Sequence, residues 1–197
     1  GQSCIGANRI YVQDGIYVDF ARRYAERVSA LKVGNGLDEA TDIGPLIDMG
    51  GVAKAQEHVD DALARGARVL CGGSPATQGG QFYAPTVLAD VPDDALIARE
   101  ETFGPVAPLF RFTNDIDAIR AANQTEFGLA AGVWTGALSR AHRMVHGLRA
   151  GVVHVNTYGG ADGTVPLGGV KQSGNGHDKS LHALDKYTDL KTAWIQL

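Results

Sequence analysis

The sequence predicts an α/β fold, a largely parallel open sheet with flanking helices. Three observations carry that prediction. Short runs of strand formers alternate with amphipathic stretches of about 10–15 residues, the order that builds βαβ units. The 26 glycines gather at segment ends and in Gly-Gly pairs, which punctuates a turn-rich domain. A chain of 197 residues, 44% hydrophobic and 20% charged, is long and apolar enough to bury one substantial core.

Taken in order, the first helix is expected over 15–32. Its apolar face is Val18, Ala21, Ala25, Val28 and Leu31, and Gly34 follows as a stop. A second fits 52–65, with Val52, Ala55, Val59, Ala62 and Leu63 on one face and Gly66 closing it. ARVLC (67–71) reads as a short strand before Gly72-Gly73, and VAPLFRF (106–112) as another. Asn114 then caps a helix through Asn123. AAGVWT (130–135) is strand-like, and Ser139 is expected to cap a helix through Leu148, with Leu138, Ala141, Val145 and Leu148 in register. GVVHVN (151–156) is the next strand. The end of the chain, DLKTAWIQL, is extended and has little local partner, so it suits pairing with another subunit's sheet edge. The expected division is a domain over 1–182 and an arm over 183–197.

Composition excludes several roles. A formal net charge of −4 favours neither nucleic acid nor an anionic membrane surface as a partner. No apolar run approaches the roughly 20 residues of a membrane-spanning helix. Two cysteines, Cys4 and Cys71, are too few for a disulfide framework, and the expectation is a cytoplasmic protein with free thiols.

Four constellations could carry chemistry. Cys4 follows a Gly-Gln-Ser turn of small polar residues, which exposes a thiol beside backbone N–H groups able to lower its pKa or hold an oxyanion. Cys71, inside a strand, is instead a small core residue. In EETFGP (100–105) two carboxylates precede a ring and a Gly-Pro turn. A carboxylate has two acceptor oxygens for a vicinal diol such as ribose, and a ring can pack on a nucleotide. The alternative is a solvated loop edge. His142 and His146 have i, i+4 metal spacing with no evident third ligand, so they read as a helix flank and no metal is expected. GNG (34–36) and SGNGHDK (173–179) match neither phosphate-binding fingerprint and read as turns. Two function classes remain open on these residues: a thiol enzyme using Cys4, or a non-catalytic module that assembles through its terminal strand.

Together, GQSC (1–4), IGPLID (43–48), FYAPTVL (82–88), EETFGPV (100–106), NQTEFGLAAGVWT (123–135), VNTYG (155–159) and PLGGVKQSGNG (166–176) resemble the C-terminal, catalytic-domain part of the NAD(P)-dependent aldehyde dehydrogenases. The resemblance implies that fold, with the terminal strand joining an oligomerisation sheet of a homo-oligomer. It implies Cys4 as the nucleophile that forms a thiohemiacetal and then a thioester, with the oxyanion held partly by the Cys4 N–H. It implies NAD or NADP as cofactor, Glu101 on the nicotinamide ribose and Phe103 beside it, and a small-molecule aldehyde as substrate. It further implies that the base, the oxyanion asparagine and the dinucleotide-binding domain lie upstream, so that the isolated chain is inactive. Ile5, Asp162 and Leu167 fall at its substrate pocket. IGPLID and EETFGPVAPLFRF resemble succinate-semialdehyde dehydrogenases, whereas the terminal residues resemble enzymes of γ-glutamyl-aminobutyraldehyde and other aminoaldehydes. Gly6 and Ala161 replace the second cysteine and pocket serine of the semialdehyde branch, Leu167 an aromatic, and His177-Asp178 an Arg-Glu pair. Asp162 would suit an amine-bearing substrate if it faced the pocket.

Overall fold

The computed structural model describes residues 1–159 and 162–197, which form two compact units, Gly1–Ala122 and Asn123–Leu197. That boundary differs from the expected 182/183 division, and each unit is described by itself.

The first unit is built on a four-stranded sheet. β1 (Ile10–Gln13) leads through a 3₁₀ turn into α1 (Tyr17–Ser29). α2 (Met49–Ala64), β2 (Arg68–Cys71), β3 (Thr86–Ala89), α3 (Leu96–Arg99), β4 (Val106–Phe112) and α4 (Asp115–Asn123) follow. Spatial order is β1-β4-β3-β2. β4 pairs in parallel with both β1 and β3, and β2 runs antiparallel to β3 with an irregularity between Val69 and Cys71.

Two apolar clusters sit on opposite faces of this sheet. Leu88 and Phe110 meet Ala55, Val59 and Ala62 of α2, together with Tyr83 and Ile97. Val87 and Leu109, the neighbours of Leu88 and Phe110, meet Val12 and α1 through Tyr17 and Ala21. Successive strand side chains point to opposite faces, so β3 is buried along its whole length and reads as a continuous apolar run. Caps define two helix starts: Asp48 accepts the Gly51 N–H at 2.8 Å and Asn114 accepts the Asp117 N–H at 3.0 Å.

The second unit holds two small ladders. β6 (Ala130–Val133) and β7 (Val152–Val155) are parallel and joined through α5 (Leu138–Gly147), while β5 (Phe127–Gly128) and β8 (Val170–Lys171) are antiparallel. The described strands thus form one four-stranded sheet in the first unit and two two-stranded ladders in the second, a mixed α/β arrangement with parallel pairing at three of five ladders.

Several details depart from the sequence reading. α1 turns Tyr17, Ala21 and Ala25 inward and leaves Val18 73% exposed, because Tyr17 fills the position nearest β4. Leu63 is exposed on α2, and His58 takes a buried place on that helix beside Val59 and Ala62. Leu138 is exposed at the start of α5, and Ser139 lies inside that helix rather than capping it; Ala137 stands at the cap with no side-chain capping bond. Within the chain, Leu181–Tyr187 is a 3₁₀ helix and 188–197 has no regular structure; the pairing expected of that segment is with another subunit's sheet edge.

His58 is 1% exposed, with Nδ1 2.9 Å from the Thr102 hydroxyl and Nε2 3.6 Å from a Glu100 carboxylate oxygen. Burial, aided by the Lys54 charge, lowers its pKa below the ordinary 6.5, and Glu100 and Glu57 oppose that shift only in part. The unfolded chain therefore binds this proton more tightly than the folded one. His58 costs no stability above 6.5 and progressively destabilises the fold as pH falls below it. Melting temperature should decline below 6.5, and His58→Asn, at a cost of about 1–3 kcal/mol at neutral pH, should flatten that decline. An unchanged pH slope in the variant would contradict the assignment.

Candidate active site

Parallel pairing of β1 with β4, Ile10 against Leu109, brings the segments that lead into the two strands to one edge of the sheet. Ahead of β1 lies the Cys4 turn, and ahead of β4 lies 100–105.

The Cys4 turn is closed by the Gly6 N–H on the Ser3 carbonyl at 2.8 Å. Gln2 anchors it from outside, its Oε1 accepting the Ile47 N–H at 3.1 Å. Cys4 is a free, exposed thiol, and Ile5 beside it is half-buried. Gly1 lies directly on the opposite segment: a Cβ there would stand 1.8 Å from the Gly104 carbonyl oxygen, so the two backbones meet closer than any side chain permits.

Along 101–103 the side chains alternate. Thr102 is buried against His58, whereas Glu101 and Phe103 are exposed. Phe103 holds a φ of 51°, a left-handed conformation unusual for an aromatic residue. Asn8 ties this segment to the Cys4 turn. Its Oδ1 accepts the Thr102 N–H at 3.1 Å, and its Nδ2 donates to the Glu100 carbonyl at 3.2 Å and to that of Ile97 at 3.4 Å.

The structure thus gathers Cys4, Ile5, Glu101 and Phe103 in the first unit. A carboxylate and a ring exposed on either side of a buried threonine fit a vicinal diol next to a flat nucleoside, the arrangement a nicotinamide ribose requires. An exposed thiol in a tight turn fits a nucleophile. Cys71 is the contrast, half-buried on β2 with Sγ 3.8 Å from the Pro85 carbonyl oxygen and packed beside the Tyr17 cluster.

Asp162 and Leu167 belong to the second unit. The exposed Asp162 carboxylate turns back on its own loop, where Oδ1 accepts the Thr164 N–H at 2.8 Å and its hydroxyl at 3.0 Å. Those bonds hold its pKa below the usual carboxylate value. Leu167 is half-buried and exchanges backbone hydrogen bonds with Asp178, at 2.8 and 2.7 Å. The His177 ring lies where a Cβ on Gly168 would be, and Asp178 pairs with Lys186. Ala161 lies outside the described residues. His142 and His146 sit on α5, and among the described residues no three His, Cys, Asp or Glu gather as a cation site.

Three participants escape the sequence reading: Asn8, His58 and Thr102. Thr102 was accessible in principle, since an inward residue between two outward ones is strand-like alternation. Asn8 and His58 depend on partners more than 40 residues away and leave no local signal.

The chain matches the model of the aldehyde dehydrogenase family over residues 1–193. It is 49% identical over 197 residues to the succinate-semialdehyde dehydrogenase (NADP(+)) GabD of Escherichia coli (strain K12), covering 100% of this chain and 41% of that protein. It is 48% identical to a glutarate-semialdehyde dehydrogenase of Pseudomonas putida, with the same coverage. Among solved structures, an NADP-dependent enzyme of E. coli superposes with a TM-score of 0.93 at 49% identity, over 95% of this chain and 39% of that one. The P. syringae AldA indole-3-acetaldehyde dehydrogenase, solved in complex with NAD+ and IAA, does so with 0.94 at 44%, over 100% and 40%. The chain spans about two-fifths of the length of these relatives. That coverage fixes the share of length and does not bear out the C-terminal placement that the motifs imply. With a family model matched along nearly its whole length and relatives near half identity, the chain belongs to the aldehyde dehydrogenase family.

Proposed function

We propose that this chain supplies the nucleophile and part of the cofactor grip of an NAD(P)-dependent enzyme that oxidises a short semialdehyde to its acid. The observation that carries this reading is the Cys4 turn held against the segment that exposes Glu101 and Phe103. Glu101 would accept the hydroxyls of the nicotinamide ribose, and Phe103 would pack beside it.

In the proposed sequence the Cys4 thiolate attacks the aldehyde carbon, forming a C–S bond and moving the carbonyl electrons onto oxygen. N–H groups of the turn stabilise that oxyanion until the carbonyl re-forms. The cofactor, when bound, takes up the hydride released as the thiohemiacetal is oxidised. Cys4 is then left carrying the acyl group as a thioester, which water cleaves to the acid and the free thiol. The chain spans two-fifths of its relatives, and the 197 residues alone are expected to give no measurable turnover. Its cysteine usage favours the cytoplasm, and no described helix is long and apolar enough to cross a membrane.

For the substrate, the names of the relatives support a semialdehyde of a dicarboxylic acid. The aminoaldehyde alternative rests on the resemblance of the terminal residues and on Asp162, whose carboxylate is already engaged by Thr164. A second role, assembly through the end of the chain, is favoured by one observation: Leu190, Trp194, Ile195 and Leu197 are all at least 80% exposed there. A homo-oligomer joined through that segment is compatible with catalysis by the whole protein.

In the full-length protein, Cys4→Ala should lower aldehyde-dependent NAD(P)H formation about 10³-fold or more, and undiminished turnover would overturn the catalytic reading. Asp162→Asn should change KM for succinate semialdehyde and for an aminobutyraldehyde by less than about twofold each. A selective rise for the cationic aldehyde would restore the aminoaldehyde alternative.

A further inference from the structure

We propose that Asn8 is a positioning residue that locks the Cys4 turn to the Glu101–Phe103 segment, so that nucleophile and cofactor grip keep one fixed relation. The inference rests on the catalytic reading above and adds to it a residue that neither the motifs nor the fold class mark.

Asn8 lies between the Cys4 turn and β1, yet all its described side-chain hydrogen bonds reach the far segment. Its oxygen accepts the Thr102 N–H at 3.1 Å, and its amide nitrogen donates to the carbonyls of Glu100 at 3.2 Å and Ile97 at 3.4 Å. The orientation of the amide is fixed by its partners, since one is a donor and two are acceptors. No other side chain matches that set in so short a reach. Aspartate keeps the acceptor and sets a charge against two carbonyl oxygens, and alanine loses all three bonds.

The held segment needs such a fixture. Phe103 carries a left-handed backbone, a state that persists only where the surroundings over-determine it. Thr102, immediately before it, is fixed from three directions. Asn8 holds its N–H, His58 meets its hydroxyl at 2.9 Å, and Gly104 beyond it is pressed by the Gly1 backbone. His58 reaches in from α2 and Gly1 contributes only backbone, so Asn8 is the side chain that joins the two halves of the site. If the bridge is cut, Phe103 can relax toward ordinary backbone angles, and Glu101 loses the alternation that keeps it outward.

The test uses the full-length protein and its Asn8→Ala and Asn8→Asp variants, with Val87→Ala as a core truncation on the α1 face of the sheet. Affinity for NADPH and NADH is read by nicotinamide fluorescence. Alkylation of Cys4 by iodoacetamide is read by peptide mass spectrometry, with and without cofactor. Asn8→Ala should weaken cofactor binding about tenfold, the scale of one lost hydrogen-bonded group, and abolish any effect of cofactor on Cys4 alkylation. Asn8→Asp should weaken binding severalfold, and it decides the matter if Asn8→Ala does not fold. Val87→Ala should lower the melting temperature while leaving cofactor affinity within about twofold of the parent. Parent-like cofactor affinity in the folded Asn8 variants, with turnover still lost in Cys4→Ala, overturns this inference alone. Undiminished turnover in Cys4→Ala overturns the reading beneath it.

Discussion

The parallel pairing of β1 with β4 is the constraint on which the rest of the first unit depends. Parallel strands start at the same sheet edge, so the segments leading into them become neighbours although about a hundred residues separate them. Register is held by burial on both faces. A slip of one residue would turn Val12 and Leu109 away from α1 and carry Phe110 off α2. The close approach of Gly1 to Gly104 and the reach of Asn8 to Thr102 are possible only in this register.

Around that ladder the unit trades apolar burial for definition. His58 occupies a fully buried position on α2 where an aliphatic side chain would fill the space without a pH liability. Its return is a hydrogen bond that orients Thr102, and through it the two exposed residues on either side. On the opposite face, Tyr17 plays a similar part with less exposure to titration. Its hydroxyl donates to the Leu109 carbonyl at 3.2 Å and accepts the Asp90 N–H at 2.7 Å, while the Arg111 guanidinium lies 3.6 Å from its ring centre. Buried polar groups with satisfied partners specify one arrangement of a core that apolar packing alone would leave more permissive.

Much of this was legible in the sequence where the signal is local. β4 spans 106–112 as its apolar run predicts, Asn114 caps α4, and the helices fall within a few residues of their periodic patterns. Cys4 in a small-residue turn and the carboxylate-ring sequence of 100–105 stand out because residue type carries the proposed chemistry, and the fold leaves Cys4, Glu101 and Phe103 exposed. The misses share a different cause. β1 and β3 carry no local pattern that sets them apart from the loops around them, and they are strands only because β4 lies between them. Val18 and Leu138 were placed inward by spacing, but which face of a helix is buried is decided by its neighbours. The end of the chain, 188–197, has no regular structure by itself, since a strand is defined by a partner and the partner expected there is another subunit. Asn8 lies beyond such reading altogether, because its role exists only after the fold has closed.

The account as a whole turns on Cys4 carrying the acyl group, and direct detection of that adduct tests it most sharply. Full-length protein incubated with succinate semialdehyde and NADP+ would be quenched in acid, which preserves thioesters, and its cysteine peptides weighed. A succinyl mass increment on the Cys4 peptide, absent from the Cys71 peptide, is the predicted result. An increment on Cys71, or none on Cys4 while product accumulates, would contradict the account.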